Sequence, residues 1–337
     1  MRSSMSTEKN LSKVTEAPAL RLSTALSKDN MESFSVISDR DIIAARPERE
    51  RLPVDKPQTF FVEPEHSAAG VVEDVATIFL TNRECPFRCL MCDLWKGTTE
   101  ESVPVGAIPM QIDYALSRLG PARHLKLYNS GNFFDSQAIP IEDHQAIASR
   151  CSPFQSVIVE NHPKLCGPRC LNFRDLLSDR DIEFEIAVGL ETIHPDVLPR
   201  LNKQMTAADF ASAARFLHSE GIRTRAFILL KPPFMSEQEG IEWAIKSIQF
   251  AFECGVSCCS VIPTRGGNGI METLTAVGLF EPPSLHALEQ VLERGLQLQA
   301  GRVFVDLWDA ERTTLNDPDK QLQVARMKRM NHSQRVE

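Results

Sequence analysis

The sequence of 337 residues lacks several features, and each absence bears on the class of protein. No apolar run approaches 18 residues, which excludes an ordinary membrane-spanning helix, and no membrane partner is expected. The first 20 residues have no apolar stretch of the kind found in secretory signals, so we expect a cytoplasmic protein. Basic residues are not in excess, since 37 Lys and Arg face 45 Asp and Glu, for a net charge of −8. This balance does not favour nucleic-acid or membrane binding, although a local basic cleft is compatible with it.

The composition nevertheless suits a folded core, because 42% of the residues are hydrophobic. The length fits one large domain or two modest ones. Residues 1–55 are rich in Ser, Arg, Glu and Lys without sustained periodicity, and we interpret most of them as a flexible leader that is either disordered or loosely docked. We place the main domain at residues 56–275 and a C-terminal extension at residues 276–337.

From about residue 75, short apolar runs alternate with helical patterns. Several runs are apolar nearly throughout, as in parallel strands that are covered on both faces. The predicted strands are residues 75–81, 124–130, 155–161, 184–191, 224–230, 257–263 and 302–308. Capping boxes at Thr206 and Ser236 begin two of the intervening helices. The alternation predicts an α/β fold with six or seven strand–helix units, which suit a full or partial parallel TIM-type barrel with a C-terminal strand and helix, although an open doubly wound sheet also fits the periodicity.

Three of the nine cysteines, Cys85, Cys89 and Cys92, lie together in the spacing C-x3-C-x2-C. They follow the first predicted strand, and in barrels of this kind the loops after the strands carry the chemistry. Without a secretory signal, clustered cysteines indicate metal binding or catalysis rather than disulfides. Residues 82–92, which we call the cysteine loop, could bring three thiolates to one point.

The number of thiols in the loop limits the kind of metal site. A structural zinc site normally closes with four protein ligands, whereas here the next thiol is Cys151 and no neighbouring histidine completes the set. Three thiolates on a 4Fe–4S cluster would leave one iron open to a ligand from outside the protein. The alternatives are reduced core cysteines and a zinc site closed by a remote residue, as in a non-catalytic interaction protein.

The motif resembles C-x3-C-x-Φ-C, the signature of the radical S-adenosylmethionine (SAM) superfamily, with Met91 at the position Φ. The resemblance covers roughly residues 75–265. It implies an enzyme in which Cys85, Cys89 and Cys92 ligate a 4Fe–4S cluster and the amino and carboxylate groups of SAM bind the fourth iron. It also implies reductive cleavage of SAM to methionine and a 5′-deoxyadenosyl radical, with a reductant such as flavodoxin or ferredoxin. The family fold is a partial (β/α)6 barrel.

The resemblance also extends to the end of the second predicted strand, YNSGNFFD. Asn129, Ser130, Gly131 and Asn132 lie where many family members have a Gly-Gly-Glu-like turn that holds the SAM amino group. The glutamate of that turn is absent here, so backbone carbonyls and polar side chains would have to replace it. The alternative is an ordinary turn of Asn, Ser and Gly.

Three later strand ends carry further expected contacts to SAM. Glu191 closes the fourth predicted strand and looks like a SAM contact, or else a carboxylate at a helix start. Leu229 and Lys231 lie at the strand whose family counterpart binds adenine, although Lys231 could equally be a charge at the rim. Met91 is expected to pack near the adenine or the cluster.

Within the superfamily, the strings YNSGNFFD, EIAVGLET, LNK and FILLKPPF most resemble the archaeosine synthase radical-SAM subunit and, more distantly, the radical domain of the Elongator catalytic subunit. Both relatives act on tRNA. The acidic balance argues against an RNA substrate held by this chain alone. The chain has one dense basic run, ARMKRM, which contains Arg326, Lys328 and Arg329. We favour a role for this run in capping the barrel over an RNA or partner contact. We therefore expect a small-molecule or partner-delivered substrate, with free tRNA as the less favoured alternative.

A second group of metal-ligating residues follows the third predicted strand. His162, Cys166 and Cys170 have the spacing H-x3-C-x3-C and could contribute to a zinc site or an auxiliary cluster, but a complete local site is absent. The prolines and the glycine of residues 161–170 make a helix improbable there. We expect this group to be a secondary feature that is not part of a cluster held by the cysteine loop.

Overall fold

The computed structural model describes residues 37–337, in which eight strands form one sheet. The spatial order of the strands is their order in the chain. The first pair is antiparallel, and every later neighbouring pair is parallel. The strands are β1 (Thr59–His66), β2 (Val72–Phe79), β3 (His124–Tyr128), β4 (Ser156–Asn161), β5 (Glu183–Glu191), β6 (Arg223–Leu230), β7 (Cys258–Pro263) and β8 (Arg302–Val305). Residues 1–36, most of the predicted leader, lie outside the described residues.

Helices connect the parallel strands and cover the sheet. The α-helices are α1 (Asp39–Ala45), α2 (Ala107–Leu116), α3 (His144–Arg150), α4 (Pro168–Ser178), α5 (Val197–Arg200), α6 (Ala207–Ser219), α7 (Glu237–Glu253), α8 (Ile270–Ala276), α9 (Leu285–Gln297), α10 (Trp308–Thr313) and α11 (Pro318–Ser333). The capping boxes predicted at Thr206 and Ser236 are confirmed, and they begin α6 and α7. Within residues 37–337, no helix combines the length and the apolar composition that a bilayer crossing requires.

The partial barrel expected from the sequence is confirmed. The seven predicted strands correspond to β2–β8, and β8 with α11 supplies the expected C-terminal strand and helix. The last strand ends at Val305 rather than at residue 308, because Trp308 already begins α10. The strand β1 was not predicted, since its residues are partly buried without a clear alternation and include Pro64.

Helix α11 covers the open edge of β8. The side-chain amide of Asn331 exchanges two hydrogen bonds with the backbone of Val305, at 3.0 and 2.9 Å. Gln334 does the same with Val303, at 2.8 and 3.0 Å. These amides satisfy backbone groups that an exposed edge strand would offer to another chain. The arrangement agrees with the capping role favoured for the C-terminal helix.

The barrel interior near the strand starts is charged. Arg225 on β6 lies 2.7 Å from Glu65 on β1 and 2.8 Å from Glu185 on β5. Lys126 on β3 also contacts Glu65, and Arg302 on β8 lies 3.2 Å from Glu185. Burial opposes ionisation of Glu65, but Arg225 and Lys126 more than offset it and hold the pKa of Glu65 well below its usual range. Strands that are not neighbours are thus joined by ion pairs across the barrel.

Helix α1 packs on the cysteine loop. It begins with a capping box, and Ile42 is buried against Leu90 and against residues of α8. Gly269, just before α8, approaches the carbonyl oxygen of Ala45 so closely that a Cβ atom there would collide with it. This part of the predicted leader is a packed helix that the sequence analysis did not anticipate.

Candidate functional site

The cysteine loop follows β2 at the carboxyl edge of the parallel strands, as predicted. Cys85, Cys89 and Cys92 are free thiols, and each is partly exposed. Burial raises the pKa of all three thiols, that of Cys92 to about 12. Within residues 37–337, no three His, Cys, Asp or Glu side chains are already arranged to hold a metal ion. The three thiols are therefore protonated at neutral pH, and they would release protons on binding a metal.

Hydrogen bonds from other strand ends hold the backbone of the cysteine loop. The N–H of Leu90 donates to the carbonyl oxygen of Leu201, at 2.8 Å. The amide of Asn268, after β7, donates to the carbonyl oxygen of Leu90 at 2.7 Å, and the amide of Asn202 donates to that of Arg88 at 2.7 Å. The loop is thus fixed by segments that follow β5 and β7.

The turn after β3 contacts the first cysteine directly. The side-chain nitrogen of Asn132 lies 3.1 Å from the sulfur of Cys85 and can donate a hydrogen bond to it. A Cβ atom on Gly131 would lie 3.3 Å from the Cβ atom of Cys85, closer than most such contacts. The turn that the sequence analysis assigned to SAM binding therefore lies against the cysteine loop.

A carboxylate that the sequence analysis missed supports this turn. Glu160 near the end of β4 accepts hydrogen bonds from the N–H groups of Asn129, at 2.6 Å, and Gly131, at 3.3 Å. Burial raises the pKa of Glu160 to about 7, although the backbone donors oppose this shift. The signal was present in the sequence as an acidic residue near the end of the apolar run QSVIVEN, the same kind of signal that identified Glu191.

The side chain of Asn129 is fully buried, and neither of its polar atoms has a hydrogen-bond partner among residues 37–337. Most buried polar side-chain atoms in proteins have such a partner, and exceptions are informative about function. Asn129 directly follows β3 and precedes the residues of the turn that contact Cys85. Its amide is therefore free to bind a polar group of a ligand at the rim.

Glu191 at the end of β5 forms a buried ion pair with Lys203. Burial alone would lower the pKa of Lys203, but the charges of Glu191 and Cys89 raise it above its usual value. A Cβ atom on Gly189 would collide with both charged groups, so the glycine leaves the space that they occupy. A cation is thus held beside the cysteine loop, and the sequence analysis assigned it no role.

Three of the predicted site residues share an uncommon backbone conformation. Ser130, Glu191 and Lys231 have φ angles of 52°, 64° and 53°. Each lies at or just after the end of a different barrel strand. Positive φ is unfavourable for residues other than glycine, and such strain is concentrated at functional sites. This observation favours a site at the rim.

The structure brings together two of the three residues that were predicted near adenine. Met91 of the cysteine loop packs against the apolar cluster that contains Leu229 and Leu201. The ammonium group of Lys231 instead lies 3.2 Å from the carboxylate of Glu281. Met91 and Leu229 therefore form one apolar surface, whereas the structure gives Lys231 a carboxylate partner outside the cysteine loop.

Of the second group of metal-ligating residues, His162 lies beside the cysteine loop. The ring of His162 stacks on that of Phe87, with centroids 3.8 Å apart. Both ring nitrogens of His162 are engaged, one with the N–H of Lys164 at 3.2 Å and the other with the carbonyl oxygen of Lys203 at 3.1 Å. Burial lowers the pKa of His162 to about 3. This histidine is committed to its neighbours rather than to a zinc site.

The expectation that no helix forms near residues 161–170 was wrong. A 3₁₀ turn spans Pro163–Leu165, and α4 begins at Pro168. Proline is favourable at the first helical position, because its fixed φ suits the helix and its missing N–H would be unpaired there. Cys170 consequently lies in the first turn of α4.

No protein-family model matches the sequence. Three proteins of archaea are similar to it. An uncharacterized protein of Methanocaldococcus jannaschii is 26% identical over 64% of this chain and 63% of its own length. Archaeosine synthase subunit beta of Thermococcus kodakarensis is 29% identical over 48% of this chain and 51% of its own, and that of Methanosarcina acetivorans is 27% identical over 67% and 68%. The chain therefore spans about half to two thirds of the length of these relatives.

Solved structures resemble the chain at lower identity. Elp3 of Methanocaldococcus infernus is 15% identical, with a TM-score of 0.47, over 59% of this chain and 52% of that one. Methylornithine synthase is 11% identical, with a TM-score of 0.47, over 94% of this chain and 84% of that one. The radical SAM methyltransferase TsrM of Kitasatospora setae, whose structure contains cobalamin and a [4Fe–4S] cluster, is 16% identical, with a TM-score of 0.40, over 56% and 37%.

Proposed function

We propose that the protein is a radical SAM enzyme in which Cys85, Cys89 and Cys92 ligate a 4Fe–4S cluster. The observation that carries this proposal is the contact of Asn132 with Cys85, since it joins the cysteine loop to the turn expected to hold SAM. The vacant amide of Asn129 and the strained backbone at three strand ends support a ligand at the same rim. The relatives named archaeosine synthase subunit beta support the same class of enzyme.

The residues present fit the proposed cofactors. Thiolates are the usual protein ligands of iron–sulfur clusters, and three of them leave one iron open to SAM. The chemistry that a reduced cluster supplies in such enzymes is cleavage of SAM to methionine and a 5′-deoxyadenosyl radical. The cation of Lys203, whose pKa responds to Cys89 and Cys85, would offset part of the negative charge of the bound thiolates.

The other residues would bind and orient SAM. Glu160 holds the backbone of the turn in place, so that Asn129 can offer its amide to a polar group of SAM. Met91 and Leu229 offer an apolar surface suited to a flat ring such as adenine. Helix α1 packs over the cysteine loop and would limit the access of water.

We further propose that the substrate is a small molecule or is delivered by a partner protein, and that a flavodoxin- or ferredoxin-like protein supplies the electron. The charges of the C-terminal helix support this view. Each cation of the run ARMKRM is paired with glutamate: Arg326 with Glu289 and Glu293, Lys328 with Glu311, and Arg329 with Glu337. Strong binding to RNA normally requires basic side chains that are available to phosphates.

Anaerobic reconstitution with iron and sulfide tests the proposal. We expect about four iron atoms per chain and a brown protein. After reduction with dithionite and addition of SAM, chromatography should show 5′-deoxyadenosine and methionine. Colourless protein that contains zinc, or S-adenosylhomocysteine as the sole product, would contradict the proposal.

Alanine variants of Cys85, Cys89 and Cys92 provide the residue-level test, with Cys254→Ala as a matched control. Cys254 is a buried thiol at the end of α7, on another element of the fold. Each of the first three variants should lose its cluster and its SAM cleavage, whereas the control should keep both. A full iron count in any one of the three would overturn the ligand assignment.

A further inference from the structure

The two edge strands of the sheet, β1 and β8, lie beside each other on one side of the barrel, and two contacts bracket the gap between them. At one end, the guanidinium group of Arg302 on β8 donates to the carbonyl oxygen of His66 on β1, at 3.3 Å. At the other end, the ring of Phe61 on β1 stacks on that of Trp308, which begins α10, with centroids 5.5 Å apart. We call the space between these two contacts the edge gap.

Glu63 places a carboxylate on the interior side of the edge gap. Side chains two residues apart on a strand share a face, and Glu65, two residues further on, reaches Arg225 on β6 across the barrel. The carboxylate of Glu63 lies 3.8 Å from the ammonium group of Lys126, and solvent reaches 47% of the Glu63 side chain. This carboxylate is therefore open to a ligand on its solvent side.

Asp306 places a second carboxylate on the opposite side of the gap. Its backbone N–H donates to the carbonyl oxygen of Val261 on β7 at 2.8 Å, which continues the pairing of β8 by one residue. Asp306 thus shares the interior face with Arg302, whose guanidinium group reaches Glu185 inside the barrel. One carboxylate oxygen of Asp306 accepts a hydrogen bond from the N–H of Trp308 at 2.9 Å. That contact fixes the turn into α10 but supplies no positive charge.

The charges around the gap leave Asp306 without a counterion. The ion pairs that start at Glu63 form one connected network, which is neutral because it contains four carboxylates and four cations. Its members are Glu63, Glu65, Glu183 and Glu185 with Lys126, Arg223, Arg225 and Arg302. Among residues 37–337, no cation forms an ion pair with Asp306. Burial raises the pKa of Asp306, the direction expected for a carboxylate that lacks a close cation.

A buried hydroxyl group faces the same interior space. Thr77 on β2 is 2% exposed, and its hydroxyl oxygen has no hydrogen-bond partner among the described residues. In the sheet it pairs with Phe61 on β1 and Lys126 on β3, so the three side chains project from one face. Buried hydroxyl groups in proteins normally have a partner. The oxygen of Thr77 is therefore available to a donor on a ligand.

We propose that the edge gap binds an ammonium group of the substrate, so that the substrate is an amine that carries a positive charge at neutral pH. This proposal rests on the proposed radical SAM function and names the class of its substrate. An ammonium group has three N–H donors, which match the oxygens of Glu63, Asp306 and Thr77. Its single positive charge offsets that of Asp306, and the neighbouring rings of Phe61 and Trp308 also attract a cation.

Arg265 connects the edge gap to the cysteine loop. It lies 2.7 Å from the carboxylate of Asp309, the residue after Trp308, and 3.4 Å from that of Asp93, the residue after Cys92. The start of α10 is thus joined through one side chain to the end of the cysteine loop. An amine held in the gap would extend its carbon chain toward the rim where SAM is proposed to bind.

Nuclear magnetic resonance of the full chain, without iron or SAM, tests the proposal. The chain contains three tryptophans, which are labelled with 15N, and the Trp308→Phe variant identifies the indole signal of Trp308. The probes are benzylamine, a cation at neutral pH, and benzyl alcohol, its neutral analogue of similar shape. We expect benzylamine to shift the Trp308 signal saturably and to leave the other two signals in place. Benzyl alcohol should bind about tenfold more weakly or worse.

Two variants remove the charges of the gap and keep the side-chain size. Asp306→Asn can still accept the N–H of Trp308, and Glu63→Gln changes only the carboxylate. Each should weaken benzylamine binding about tenfold, and the double variant should no longer prefer benzylamine over benzyl alcohol. Glu142→Gln removes an exposed charge before α3 and is the matched control, which should bind as the wild type does. Unchanged signals of the other two tryptophans verify the fold of each variant.

Equal binding of benzylamine and benzyl alcohol, or a Trp308 signal that benzylamine does not move, would overturn the proposal. So would a signal that responds to magnesium ions through Glu63 and Asp306 but not to benzylamine, because the gap would then be a site for a divalent metal. Failure of the radical SAM proposal is seen separately, in the iron count and the SAM products of the wild type. A protein that binds benzylamine but fails those tests would have the cation site without the proposed reaction.

Discussion

The ammonium group of Lys203 contacts the carboxylate of Glu191, and their side chains are 8% and 9% exposed. Two features of the chain make this buried ion pair possible. The first is Gly189, which leaves room for both charges, and the second is the left-handed backbone of Glu191, which ends β5. A strained residue with a buried charge partner beside three cysteines is poorly explained by packing alone.

The Lys203→Met variant should lose about 3–5 kcal/mol of unfolding free energy, because it leaves the Glu191 carboxylate buried without its partner. Chemical denaturation in urea measures the loss. The control is Lys320→Met, whose pair with Asp317 is exposed to solvent, and it should change the unfolding free energy little. Adding Glu191→Gln to Lys203→Met should restore much of the stability. A cost for Lys203→Met as small as that of the control would contradict a tightly coupled buried pair.

The Gly189→Ala variant should be destabilised by about 1–3 kcal/mol, since the added methyl group would collide with the charged groups of Glu191 and Lys203. Gly120→Ala is the matched control, because a Cβ atom there would meet nothing within 4 Å. Thermal and urea unfolding of both variants provide the comparison. Equal stability of the two would show that the space beside Gly189 is not needed by the ion pair.

The Glu160→Gln variant tests the carboxylate beneath the turn. Burial raises the pKa of Glu160 from 4.5 to about 7, so the folded state binds this proton more tightly than the unfolded state does. The resulting stabilisation is fully present below pH 4.5 and is lost as the pH rises through 7. Relative to wild type, the variant should therefore gain about 2–3 kcal/mol of unfolding free energy between pH 5 and pH 8.

Urea titrations at pH 5, 6, 7 and 8 measure that difference for Glu160→Gln. Glu142→Gln, which changes an exposed glutamate before α3, is the control for loss of a surface charge. The informative quantity is how the difference in unfolding free energy between variant and wild type changes with pH. Titrating groups that the two proteins share contribute equally to both, so their contributions cancel in this difference. A flat difference for Glu160→Gln would mean that its proton is bound no more tightly in the folded state.

Binding of tRNA by the isolated protein should be weak and non-specific. The chain carries 45 acidic against 37 basic residues, and the cations of the run ARMKRM are paired with glutamates. Titration against total tRNA at two salt concentrations measures both the affinity and its salt dependence. Substituting Arg326, Lys328 and Arg329 with glutamine should change the affinity little. Tight binding with a steep salt slope that collapses in this variant would instead indicate a stand-alone tRNA-modifying enzyme.

Much of the barrel could be predicted from the sequence, because its parallel strands are buried on both faces and read as continuous apolar runs. The position of the cysteine loop at the carboxyl edge followed from that pattern. The strand β1 could not be predicted, since its half-buried residues have no regular period and its ion pair from Glu65 to Arg225 joins residues far apart in the chain.

The cysteines of the candidate site could be predicted from the sequence, whereas most of the residues that support them could not. Local spacing identifies Cys85, Cys89 and Cys92, because they lie in one loop. The roles of Glu160 and Lys203 depend on strands and loops that approach each other in the folded chain. For Lys231, the position just after a strand was predicted correctly. Its ammonium group, however, pairs with the carboxylate of Glu281, which the sequence did not predict.

The identical order of strands in the chain and in the sheet has a consequence for biosynthesis. As the chain leaves the ribosome, each new strand from β2 to β8 meets an edge that has already been synthesised, so the sheet can grow in one direction without waiting for distant segments. The ion pair between Glu65 on β1 and Arg225 on β6 forms later and joins these two strands across the barrel. The last edge remains open until Asn331 and Gln334 emerge, and the nascent chain is exposed to pairing with other strands during that interval.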